Sequence, residues 1–77
     1  MNIELLELDH LDGSERVQLI KDRTLEVFDD NKIKSERWLN SPIQALNYRS
    51  PIAYAGTVEG AKEVLSLINR LEHGIFT

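Results

Sequence analysis

With 77 residues and no cysteine, the chain can form one domain around a small core, and both a disulfide framework and a thiolate metal site are excluded. A core of this size stabilises a fold by only roughly 3–5 kcal/mol, so help from a partner is expected, and the cysteine-free composition fits a reducing cytoplasm. A net charge of −4 and a pI near 5.0 argue against a general phosphate-backbone footprint, which needs clustered Lys and Arg, and suit a partner with a basic cleft.

In chain order, residues 1–13 are a short lead. Ile3, Leu5, Leu6, Leu8 and Leu11 fit either an amphipathic turn or an alternation, and a weak helix is the reading adopted. No apolar run approaches the roughly 20 residues that span a bilayer, and Glu4 and Glu7 stand where a signal peptide would be basic. Nothing here directs the chain to a membrane. The turn cluster Asp12-Gly13-Ser14 precedes Glu15, so Ser14 is expected to cap a helix with an acidic first turn, opening the main domain at residue 14. Val17, Ile20, Thr24, Val27 and Phe28 recur at helical spacing, with Leu25 beside them, and carry that helix to about Phe28. Asp29-Asp30-Asn31 then closes one helix and opens another bearing Ile33, Arg37, Trp38 and Leu39, which Asn40-Ser41-Pro42 ends because proline lacks the amide donor. A loop with one short turn at Ala45-Leu46 leads to Ser50-Pro51, a cap followed by proline at the first helical position, for a short helix through Ile52 to Ala55 that Gly56 stops.

The last helix has the clearest signals. Thr57 is the expected N-cap, Glu59 lies in the first turn, and Ala61, Val64, Ile68, Leu71 and Ile75 make a heptad stripe widened by Leu65 and Leu67. Lys62, Ser66, Asn69, Arg70 and His73 form the opposite, solvated face. Gly60 inside the first turn costs roughly 1 kcal/mol relative to alanine, so a close backbone approach is expected there. Gly74 is placed as the left-handed residue that terminates the helix. The expected fold is a compact all-α single domain of four to five short helices.

No catalytic chemistry is legible, and no cofactor or metal is expected. His10 and His73 are far apart and belong to no ligand motif, the serines sit at caps, and the four glycines are scattered rather than gathered in a phosphate loop. Asp29-Asp30-Asn31 lacks the distal glutamate of a calcium loop. Trp38 is more simply a core residue than an interface anchor. Arg49 either holds the carbonyls of a helix end or faces a partner. Ile75, Phe76 and Thr77 follow a helix stop, and either fold back on the core or are offered to another protein.

Several blocks occur in order: Arg37-Trp38-Leu39-Asn40-Ser41-Pro42, Ala45-Leu46, Arg49-Ser50-Pro51, Thr57-Val58-Glu59-Gly60-Ala61, and Arg70-Leu71-Glu72-His73-Gly74-Ile75-Phe76. Together they resemble the C-terminal toxin-binding domain of the Xre/MbcA/ParS antitoxins, over residues 14–77. The resemblance implies an antitoxin of a type II toxin–antitoxin system that binds and neutralises a RES-domain toxin, a family associated with NAD+ depletion, by covering its active-site cleft. It implies contact through Arg70, Glu72, His73, Gly74, Ile75, Phe76 and Thr77, with the apolar tail as a plug and Arg49 as a further candidate. Family members commonly carry an N-terminal helix-turn-helix, whereas only residues 1–13 precede the matching stretch here, so DNA binding and operon repression are not expected. The chain is then either a naturally short antitoxin or the toxin-binding part of one. Two other functions remain open at this level. One is a small helical DNA-binding regulator, for which the third helix offers only Lys32, Lys34 and Arg37 beside Glu36. The other is a homodimer pairing through the heptad face.

Overall fold

A computed structural model describes residues 8–74. Its helices are α1 (Gly13–Val27), α2 (Lys32–Leu39), α3 (Pro51–Tyr54) and α4 (Val58–His73), with 3-10 turns at Leu8–His10 and Gln44–Leu46. Each α-helix begins where a side chain replaces a missing backbone partner. The Lys34 N–H donates to Asn31 Oδ1 at 3.0 Å, Ala53 N–H to Ser50 Oγ at 3.3 Å, and Gly60 N–H to Thr57 Oγ1 at 3.0 Å. For α1 the cap is Asp12, not Ser14. The Glu15 N–H donates to Asp12 Oδ1 at 2.8 Å while the Asp12 N–H donates to Glu15 Oε1 at 3.0 Å, a reciprocal box that needs acid and glutamate three residues apart. Ser14 lies inside the helix and exposed. Gly74 ends α4 at φ 67°, and its N–H reaches back to Leu71 O at 3.3 Å.

The lead does not form the weak helix at its described end: Leu8–His10 is a 3-10 turn, and Leu8 is fully buried. Residues 1–7 lie outside the described residues. Arg16 of α1 ties this turn down by donating to Leu8 O at 3.2 Å, to Leu11 O, and to Gly56 O at 2.9 Å in the turn between α3 and α4. One guanidinium thereby holds three segments.

The core consists of Leu8, Ile20, Leu39, Leu46, Ala55, Ala61, Val64, Leu65 and Ile68. Four of these come from α4, which lies along α1 and against α3. The buried set on α4 is Ala61, Val64, Leu65 and Ile68, a wide globular stripe rather than a narrow heptad seam. Leu71, expected on that stripe, is only half-buried. A face buried within the chain is not available to pair with a second copy.

Gly60 sits where a side chain cannot. A Cβ there would stand 1.9 Å from Tyr54 O and 2.8 Å from Thr57 Oγ1, so α3 crosses the start of α4 at backbone contact. On α2 the inward residues are Ser35 and Leu39, one helical turn apart, with Trp38 half-buried beside them. Ile33, expected on the apolar face, is 71% exposed while Ser35 is 3% exposed. Two positions along a helix are slightly more than a half-turn, so choosing Ser35 for the core turns Ile33 outward. Trp38 closes the α1–α2 turn, its ring centroid 6.3 Å from that of Phe28 at an interplanar angle of 56°.

Among the described residues, four non-glycine residues adopt left-handed backbone: Asp29, Asp30, Asn47 and Tyr48. Asp and Asn accept this conformation because their short polar groups bond locally, whereas for other residues it costs about 1–2 kcal/mol.

Candidate functional site

The last turn of α4 is held from α1. Arg23 is only 14% exposed, and its Nη2 donates to Asn69 Oδ1 at 3.2 Å and to Glu72 Oε1 at 3.1 Å, while Nη1 lies 3.5 Å from Glu26 Oε1. The partners are three residues apart on one side of α4, so one planar guanidinium engages both. Arg70 and His73, also three apart, are exposed. The positive charge of Arg70 near a helix C-terminus complements the partial negative charge of its free carbonyls.

Arg70 also borders a groove of about 210 Å³ between α4 and the 3-10 turn Gln44–Leu46, lined by Ala45, Leu46, Glu63, Ser66, Leu67 and Arg70. The turn continues into a loop whose main chain closes on itself: Ile43 N–H donates to Arg49 O at 3.1 Å, and Tyr48 N–H to Ile43 O at 2.9 Å. Arg49 is exposed, with its guanidinium carbon 5.8 Å from the centre of the Tyr54 ring. A second groove, of about 280 Å³, runs between α1 and α2 on residues including Lys21, Asp22, Lys32 and Glu36, whose charges are mixed.

Of the expected contact residues, Arg70, His73 and Gly74 lie together at the exposed end of α4. Glu72 lies there too, but its carboxylate is engaged by Arg23. Arg49 belongs to the 43–49 loop rather than to that end, and its described partner is the Tyr54 ring rather than a helix carbonyl. Ile75, Phe76 and Thr77 fall outside the described residues. Sequence reasoning missed Arg23 and read Asn69 as solvated, although Asn69 is half-buried. The available signal was position: Arg23 precedes the buried Thr24 and follows Ile20 by three, which points a cation inward and demands acceptors from another element. Among the described residues, no group of three or more His, Asp or Glu could hold a metal ion, and no helix is long and apolar enough to cross a membrane. The chemistry this end of the molecule offers is recognition: an exposed arginine and histidine beside a groove with apolar and polar walls.

Residues 24–74 match the family described as the antitoxin Xre/MbcA/ParS C-terminal toxin-binding domain. The chain is 41% identical to the "Antitoxin Xre" of Yersinia enterocolitica over 58 residues, which is 75% of this chain and 39% of that protein. It is 38% identical to the "Antitoxin Xre" of Photorhabdus laumondii over 56 residues, 73% of this chain and 38% of that protein. The chain thus covers about two-fifths of the length of these relatives. No solved structure gives a significant match.

Proposed function

Because the chain belongs to the antitoxin Xre/MbcA/ParS C-terminal toxin-binding domain family, we propose that it acts in a toxin–antitoxin system as the element that binds and neutralises the toxin. The toxin is a RES-domain protein, and neutralisation consists of covering the cleft where it takes NAD+. The observation that carries this reading is the family match, which runs through α4 to the clamped turn at Gly74. Arg70 and His73 contact the toxin directly, and the apolar residues Ile75 and Phe76 enter the cleft together with Thr77. The chain performs no chemistry. It functions in the cytoplasm, where NAD+ is depleted by an unopposed toxin.

The test is co-expression with a RES-domain toxin, scored by growth and cellular NAD+. The intact chain restores both, and a chain lacking residues 74–77 restores neither fully. Normal rescue by the shortened chain would remove the tail from the mechanism, and failure of the intact chain to bind the toxin would remove the function. The operator-binding alternative has less support: exposed Lys32, Lys34 and Arg37 sit on a helix of eight residues beside Glu36.

A further inference from the structure

Tyr48 stands out in the 43–49 loop. It follows Asn47 into the left-handed region, with φ 63° after φ 56°, yet it is 69% exposed and so recovers nothing by burying its ring. The loop nevertheless leaves it no alternative. Tyr48 and Arg49 donate their N–H groups to Ile43 O at 2.9 Å and Leu46 O at 3.1 Å, Arg49 O accepts from Ile43, and Leu46 anchors the turn in the core at 1% exposure. A strained backbone held by several bonds projects an aromatic ring into water, next to an arginine whose guanidinium lies over the Tyr54 ring. Rigid tyrosine and arginine are the residue types that dominate binding hot spots, because they bring large contact area and directional donors with little freedom left to lose.

We infer that Tyr48, with Arg49 beside it, forms a second toxin-contacting element, separate from the end of α4; this rests on the toxin-binding reading above. The occupant is the toxin's own surface next to its cleft. Continuity carries this assignment: the turn that presents Tyr48 also supplies Ala45 and Leu46 to the groove bordered by Arg70, so the base of the loop and the later turns of α4 border one groove. Charge gives the chemistry of the surface. Arg49 is exposed in the loop and Arg70 is exposed at the groove that Glu63 also lines, so the toxin surface met here presents an apolar recess for the ring and carboxylate or carbonyl acceptors for the guanidinium groups.

The experiment compares Tyr48→Asn with the wild-type chain, in thermal unfolding of the free protein and in calorimetric titration against the RES-domain toxin. Asparagine tolerates left-handed backbone, so relief of strain leaves the melting temperature unchanged or raised while toxin affinity falls at least tenfold. That pair of opposite effects is the signature of a residue kept for a partner. Wild-type affinity in Tyr48→Asn overturns the inference, and so does a lowered melting temperature with a proportionate loss of binding, since the ring would then serve the fold. Absence of any titration signal from the wild-type chain would instead strike at the toxin-binding reading itself. Arg49→Ala provides the second arm: a loss of affinity that shrinks as salt is raised is expected, and an affinity equal to wild type at low salt counts against the element.

Discussion

Gly60→Ala sets helix propensity against tertiary contact. In an isolated helix the change would stabilise by about 1 kcal/mol, because glycine loses the most backbone entropy. Here the new methyl would stand 1.9 Å from Tyr54 O and 2.8 Å from Thr57 Oγ1, where ordinary contact begins at 3.4 Å. The neighbour is main chain, so relief requires α3 to move away from α4. Overpacking of this kind costs about 1–3 kcal/mol. Displacing Thr57 also weakens the α4 cap, a further cost of about 1 kcal/mol. The balance is destabilising by about 2 kcal/mol, a large share of what a core this small supplies. The melting temperature should fall by roughly 10–15 °C, measured by circular dichroism. Gly56→Ala is the control: a Cβ at Gly56 meets nothing within 4 Å, so its effect should stay within about 0.5 kcal/mol. A Gly60→Ala variant as stable as the wild type would refute the backbone contact between α3 and α4.

Five further substitutions test other parts of the fold. Asp12→Ala should cost about 1 kcal/mol in denaturant unfolding while Ser14→Ala is neutral or slightly stabilising, and the reverse order would restore Ser14 as the cap of α1. Arg23→Gln should cost about 1–3 kcal/mol and Glu72→Gln about 0.5–1 kcal/mol at low salt, with a coupling of about 0.5 kcal/mol or more in the double-mutant cycle. Additive effects would mean that the Arg23–Glu72 pair contributes nothing to the clamp on α4. Ile33→Lys should change stability by less than about 0.5 kcal/mol, because the side chain is 71% exposed; a loss of 2 kcal/mol would return Ile33 to the core.

The same contrasts explain which parts of the molecule could be read from the chain and which could not. The Ser50-Pro51 and Thr57 starts and the Gly74 stop were legible because each is decided by hydrogen bonds or backbone freedom within three or four residues. The cap of α1 was misplaced by two residues although its signal was local, since the acid and glutamate at box spacing are Asp12 and Glu15. For α2 the periodicity was too short to choose between faces, and only packing against α1 and α3 decided that Ser35 and Leu39 go inward. Gly60 advertised a close approach by being costly, but the identity of the neighbour, Tyr54 O, depended on how α3 crosses α4.

The candidate site divides in the same way. Arg70, His73 and Gly74 share the end of one helix, so their proximity follows from spacing alone. Arg23 reaches Glu72 across 49 positions and Asn69 across 46, and no local rule selects those acceptors. The left-handed backbone at Tyr48 is equally silent in the residue itself, because a loop closed between Ile43 and Arg49 imposes it. Local hydrogen-bond chemistry and hydrophobic spacing were therefore enough for the all-α class, the order of the helices and most of their ends. Which face each helix buries, which cation clamps α4 and which aromatic ring is held in water were decided by contacts between distant segments, where the free energy of docking exceeds the preference of any single residue.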